Sequence, residues 1–309
     1  MLDEIASRRT LYAAFERVRE NAGCRGADGI TVGEFAANLE TELDSLQDRL
    51  IRRVYQPYPL LRFEIPKNET KVRSLCVPAV RDRVLQTAVY LVTRPIFEEE
   101  FEACSYAYRE GRSVRDAVLR IDQLRRQGFR WLVDADIDSF FDNIAHDRLL
   151  VQLARLPLDS YVRTLFERWI RAEIYDGRRI YPLQRGIPQG SVVSPMLANL
   201  FLDELDENLA LFGQTLVRYG DDFVILCKSP DEATQALELT DYLLEETDLR
   251  LNQEKTRITS FDQSFKFLGA IFLGDSVFLP FNRSKPEWAT PKLPPPLDLL
   301  TYLELRNLE

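Results

Sequence analysis

The chain has 309 residues, 45% hydrophobic and 29% charged, an ordinary globular composition that excludes fibrous, mucin-like and disordered chains. At roughly 150 residues per domain, this length suits two domain-sized units, or one enzyme with lobes around a cleft. Formal net charge is −9, which argues against a general polyanion binder, yet residues 51–130 hold 16 basic against 10 acidic side chains and residues 201–250 hold 3 against 13.

In chain order, residues 34–54 and 81–101 have helical apolar spacing. Between them, Tyr58 to Val77 predicts two strands joined by the charged loop of IPKNETKVR. A helix capped by Ser113 follows, with a basic outer face. RWLVDADID, from Arg130 to Asp138, begins apolar and ends in alternating aspartates, as a strand does when it emerges from a buried sheet at a carboxylate-lined end. Ser194 as N-cap and Pro195 as first helical residue open a helix to about residue 210. LVRYGDDFVILC reads as a tight hairpin with Asp221 and Asp222 in its turn. Ser229-Pro230 caps another helix to about residue 246, and strands are expected at 249–259, 265–273 and 276–281. The proline-bearing tail is expected to be an extended arm outside the core, with the folded part ending near 281. Strands and helices mix without regular βαβ alternation, so the class is α+β.

A single histidine, His146, excludes His clusters, His-bearing zinc sites and a second imidazole. The four cysteines are scattered, which fits a reducing compartment rather than a disulfide framework. Neither a secretion signal nor a run of apolar residues long enough to span a membrane is visible, so a cytoplasmic protein is expected.

Asp136 ends one strand and Asp221 and Asp222 mark a hairpin 85 residues later, so pairing these strands brings three carboxylates together. Such a cluster repels itself unless protons or cations neutralise it; hard oxygen donors suit two Mg²⁺ ions, with Mn²⁺ as substitute, in in-line phosphoryl transfer. A lone Asp-Asp turn is usually structural. What changes the odds is agreement among independent segments.

Those segments, ADIDSFFDNIAHDRLL, GIPQGSVVSPMLANLFLDELD, RYGDDFVI, LNQEKTRI and FLG, resemble the successive palm motifs of reverse transcriptases, in particular the group II intron lineage. GADGIT, the stretch from IPKNETKVRSLCVPAVRDRVLQ to PIFEEEF, and SYAYREGRS resemble its fingers and early palm, so the likeness runs from about 26 to 272. The resemblance implies a right-hand polymerase fold with an antiparallel palm sheet flanked by helices. It assigns 1–80 to an N-terminal extension and fingers, 81–149 and 191–281 to the palm, 150–190 to a second fingers segment and 282–309 to a tail, with the thumb short or absent.

Carried over by residue, the likeness implies Asp136 and Asp221 as metal ligands, Asp222 as third carboxylate and the Ile137 carbonyl as a further ligand. Phe141 stands where the family places the ring that excludes a ribose 2′-hydroxyl. Without the family, a Phe140-Phe141 pair is ordinary core. Lys67 and Arg73 match residues facing the incoming triphosphate, Gln189 the nucleotide-pocket loop, and Lys255 a lysine near the pyrophosphate. Tyr219, Gly190, Leu268 and Gly269 fall at primer or template positions.

The implied activity is RNA-directed DNA synthesis from an RNA template, a DNA or RNA primer and dNTPs. No maturase or endonuclease segment is recognised, so the expected setting is a stand-alone enzyme supplying cDNA to a CRISPR integrase complex, or one completed by another thumb-supplying partner. Retron-like and diversity-generating enzymes, an RNA-directed RNA polymerase, and a catalytically idle RNA-binding subunit remain alternatives.

Overall fold

The computed structural model describes residues 1–66, 72–279, 293–298, 301–302 and 305. Its strands are β1 (Leu60–Pro66), β2 (Val72–Val77), β3 (Trp131–Asp136), β4 (Glu173–Tyr175), β5 (Ile180–Pro182), β6 (Thr215–Tyr219), β7 (Asp222–Cys227), β8 (Arg257–Ser260), β9 (Phe265–Phe267), β10 (Ala270–Leu273) and β11 (Ser276–Phe278). Pairing is antiparallel except between β1 and β4, and helices are interspersed, so the α+β class holds. Among the described residues no helix is long and apolar enough to cross a membrane, and all four cysteines are free.

Two compact units share the chain. The first comprises residues 1–97, 149–195 and 288–309. Its sheet has the order β2-β1-β4-β5, with Leu61 opposite Val77 and Pro66 opposite Val72. The predicted strand pair is therefore present, while its connecting loop, with Lys67, lies outside the described residues. The tail departs from expectation. Residues 293–298 form neither helix nor strand, but Leu297 is 4% exposed and belongs to the apolar cluster of Ala27, Leu61, Phe63, Tyr175 and Ile180. The Leu297 amide donates to the Ala27 carbonyl, and Arg25 donates to the Pro294 carbonyl. Burying a leucine side chain stabilises by roughly 1.5–3 kcal/mol, enough to draw a strand-less segment onto the core. A proline-rich composition predicts extension but says nothing about where the extended segment lies.

The second unit comprises residues 98–148 and 196–287. One sheet has the order β6-β7-β3-β8 and a smaller one the order β11-β10-β9. The helix Val114–Arg126 opens with a capping box, in which Ser113 and Asp116 satisfy each other's backbone amides, as its sequence predicts. Its Ala117, Val118, Ile121 and Leu124 pack with Leu132, Val217, Val224 and Leu226 of the larger sheet and with Phe261, Phe265, Phe267 and Phe272. Pro230–Glu246, capped by Ser229 with its proline in the first turn, packs on β3, β7 and β8.

Two strand expectations are corrected here. The segment 265–273 is two strands, because Leu268 (φ 50°) and Gly269 (φ 86°) both take the left-handed backbone of a two-residue turn. The segment 249–259 forms a strand only over Arg257–Ser260, after a turn in which the Lys255 and Thr256 amides both donate to the Asn252 carbonyl.

Candidate active site

The antiparallel register of β3 and β7 sets Asp136 directly opposite Asp222. β6 and β7 form a hairpin whose last pair is Tyr219 and Asp222, which leaves Gly220-Asp221 as the turn. Asp222 thus begins the strand rather than occupying the turn, a correction to the sequence reading. Gly220 has φ +71°, as the first position of a type II′ turn requires, and a Cβ there would stand 3.6 Å from the Tyr108 ring. Tyr108 is itself in left-handed backbone, φ 61°, and half its surface is open.

The electrostatics of this end of the sheet follow from the crowding of acids. The Asp222 carboxyl is pushed up to about 7 by desolvation, then by the negative charges of Asp221 and Asp136. Lys255 answers that charge: its Nζ lies 2.7 Å from Asp136 Oδ2. Burial alone would lower the Lys255 ammonium, but the bond and charge of Asp136, backed by Asp222 and Asp221, hold it above its usual value. The turn that carries Lys255 is pinned to β3, because the Asn252 amide donates to the Asp136 carbonyl at 2.8 Å. Ile137 bridges Leu251, flanked by bonds from the Asn252 amide to the Asp136 carbonyl and from the Asp138 amide to the Arg250 carbonyl. In such a pair the residue's own carbonyl is not spent on the bridge and points to the other side of the strand, toward β7.

This donor set fits a hard divalent cation in its chemistry: the ligating atoms offered are oxygens, and the side chains that bring them are acidic and crowded. Among the described residues no three His, Cys, Asp or Glu side chains form a ready-made cage. Positive charge beside Asp136 comes instead from Lys255.

Phe140 and Phe141 divide the two readings of the aromatic pair. After Ser139, which takes left-handed backbone at φ 47°, the short helix Phe140–Asn143 buries Phe140 at 2% exposure against Phe201. Phe141 stays half-buried, edge-on to Phe140 with ring centroids 5.5 Å apart. Tyr219 and Leu268 are likewise half-buried, packing their inner edges on the phenylalanine-rich cluster. Gly269 completes the turn with Leu268.

The remaining expected residues lie in the first unit. Arg73 is exposed on β2, opposite Ile65. Gln189 is half-buried, and its carbonyl accepts the Cys76 amide at 2.8 Å, which fastens the Pro188–Gly190 loop to β2. Gly190 is required there twice over: φ is +117°, and a Cβ would lie 3.0 Å from the Cys76 carbonyl oxygen. Gln86 was missed by sequence reasoning. It is 1% exposed, and its Oε1 accepts from the Ser191 hydroxyl (3.0 Å) and the Val192 amide (3.1 Å), bracing the loop from the helix Val80–Glu100. The signal was a glutamine inside an apolar helical stripe. Tyr108 was missed as well, since nothing in SYAYREGRS places it over a turn more than a hundred residues away.

An antiparallel sheet that presents acids from a strand end and a hairpin turn, with a lysine beside them, is the arrangement of template-directed nucleic-acid polymerases. The family model described as reverse transcriptase (RNA-dependent DNA polymerase) matches residues 65–272, and the chain belongs to that family. Protein YkfC of Escherichia coli (strain K12) is 32% identical over 283 residues, covering 79% of this chain and 74% of YkfC. The group II intron-encoded protein LtrA of Lactococcus lactis subsp. cremoris is 26% identical over 324 residues, covering 84% of this chain; the match spans 54% of LtrA, about half its length. The fold is shared with telomerase from Candida albicans, solved in complex with a telomeric RNA fragment: TM-score 0.59 and 14% identity, over 78% of this chain and 48% of that one.

Proposed function

We propose that this chain is an RNA-directed DNA polymerase that extends a primer 3′-hydroxyl with dNTPs. The observation that carries the reading is the register of β3 against β7, which sets Asp136 opposite Asp222 with Asp221 in the adjoining turn. Membership of the reverse transcriptase family supports it. In this reading residues 81–149 and 191–281 are the palm, and 1–80 and 150–190 supply the fingers.

Asp136 and Asp221 would hold the divalent ions, with Asp222 and the Ile137 carbonyl in support. When bound, Mg²⁺ supplies Lewis-acid charge stabilisation to the attacking hydroxyl and the departing pyrophosphate. The Asp222 carboxyl, pushed up to about 7 by burial and by the charges of Asp221 and Asp136, would be the supporting oxygen donor of the set. Lys255 offsets negative charge at Asp136 and lies where it can turn to the leaving group. Phe141, whose open edge is not needed by the core, closes the space that a ribose 2′-hydroxyl would take. Gln189 on its braced loop, with Lys67 and Arg73, contacts the incoming nucleotide. Tyr219, Gly190, Leu268 and Gly269 contact primer or template. The setting is cDNA supply to a CRISPR spacer integrase, a proposal that rests on the sequence resemblance and predicts co-purification with that complex.

Primer extension on RNA and DNA templates, with Mg²⁺ and Mn²⁺ compared, tests the activity. Extension with dNTPs on primed RNA is the expected result. Preference for ribonucleotides would replace the reading with RNA synthesis, and metal-independent RNA binding without extension in any salt would replace it with an idle binding subunit.

A further inference from the structure

Arg218 is the largest fully buried side chain among the described residues, and it is charged. It stands on β6, two residues before Gly220. Its Nε donates to Asp206 Oδ1 at 2.7 Å, and Asp206 on the helix Ser194–Leu211 is itself 0% exposed. Its Nη1 donates to Asn199 Oδ1 at 3.0 Å and to the Gly220 carbonyl at 3.2 Å. Asn199, 1% exposed, also donates from Nδ2 to the Ala107 carbonyl at 2.8 Å, and Ala107 adjoins the Tyr108 that covers Gly220. The backbone of Arg218 is held independently, by its own amide to the Cys104 carbonyl and by the Tyr106 amide to its carbonyl, each 2.9 Å.

Stability does not account for this arrangement. A buried ion pair gives up so much hydration that an apolar pair of the same volume serves a fold as well or better. A rigid tether does account for it. Asp221 and Asp222 repel each other and Asp136, and a two-residue turn bordered by solvent relieves that repulsion by bending outward. The guanidinium resists the bend because its planar fork is fixed by Asp206 and Asn199 before it reaches the Gly220 carbonyl.

We infer that Arg218, fixed by Asp206 and Asn199, is a positioning residue that holds the Gly220-Asp221 turn where the aspartates can share divalent ions. The inference rests on the polymerase reading for its purpose, though not for its geometry.

The test uses Arg218→Met in the full chain, with three readouts: extension kinetics, Mn²⁺ bound to a complex with dideoxy-terminated primer–template and dNTP (followed by electron paramagnetic resonance), and hydrogen exchange at residues 219–222. Displacing the turn is expected to lower kcat about 100-fold with the KM for dNTP within about threefold. Mn²⁺ affinity is expected to fall about tenfold, the ordinary consequence of losing a group that orients a metal ligand. Exchange at the turn is expected to quicken. Folded Arg218→Met with wild-type kcat, Mn²⁺ affinity and exchange overturns the inference, as does a variant whose only change is a lower melting temperature.

If unpaired Asp206 prevents folding, Arg218→Met/Asp206→Leu removes the buried charge with its partner and carries the same expectations. Asn199→Ala, which spares the ion pair, gives the same pattern at smaller amplitude, and an unchanged Mn²⁺ affinity there counts equally against the inference. Wild-type protein that binds Mn²⁺ but never extends a primer would end the polymerase reading and leave the turn geometry to be judged by exchange and Mn²⁺ alone.

Discussion

Two of the second unit's hairpins, each closed by a two-residue turn, are held by opposite means. The β6–β7 turn carries Asp221 beside Asp222 and is tied from beneath by a buried guanidinium. The β9–β10 turn, Leu268-Gly269, is held by the packing of Phe265, Phe267 and Phe272, with Phe265 and Phe272 stacked 5.1 Å apart. Apolar packing tolerates small rotations because dispersion falls off gradually in every direction. A hydrogen bond to a charged group is directional and short. The turn that carries Asp221 beside Asp222 has the directional restraint, and the turn that carries no acid has the forgiving one.

Substitutions at six positions break or sharpen that contrast. The largest effect is expected of Asp221→Ala, or of Asp136→Ala, each of which should lower primer extension by at least about a thousandfold, as loss of a principal electrostatic group does. Stability should hold or rise in Asp221→Ala because a repulsive charge is gone, and chemical denaturation checks this. Phe272→Ala should do the reverse, costing about 3–5 kcal/mol on denaturation by opening a cavity in the phenylalanine cluster, with activity per folded molecule nearly kept.

Phe141→Ala carries the comparison to a single dipeptide. It should reduce discrimination against ribonucleotides by about 10- to 100-fold in kcat/KM, the range that one steric group supplies, whereas Phe140→Ala should act on stability. The smallest effect is one of pH. Asp203, 7% exposed, has its carboxyl pushed up to about 7, first by burial and then by Asp206. The folded state therefore keeps a proton that the unfolded chain has released, so this contribution to stability is full below the ordinary carboxylate range and is lost as pH rises to about 7. Asp203→Asn should flatten that slope, read as the difference between variant and wild-type melting temperatures from pH 4.5 to 7.5.

Much of the site was legible in the chain. Asp136 at the end of an apolar strand, Gly220 ahead of Asp221, and the glycine of Pro188-Gln189-Gly190 follow from local rules of burial and torsion. Other features escaped for a common reason. Nothing local marks Arg218 in its strand or Asp206 on its helix; their pairing exists only because that helix packs over that strand. Lys255 was placed near the pyrophosphate by the resemblance, but its ion pair with Asp136 was not legible, because only the turn pinned to Asp136 brings it to that carboxylate. Leu297 read as part of a free arm because a proline run announces its conformation and not its docking place.

By itself the sequence determined the cap at Ser113, the glycine of the β6–β7 turn, the proline-opened helix at 230 and the order of the polymerase motifs. These depend on torsions and hydrogen bonds within a few residues, where the energy is decided before the chain folds. Tertiary structure alone decided that Asp136 faces Asp222 rather than a neighbour one place along, that Phe140 and not Phe141 is core, and that a buried arginine grips the turn. Those outcomes depend on register and desolvation, which have no value until segments scores of residues apart have excluded water between them.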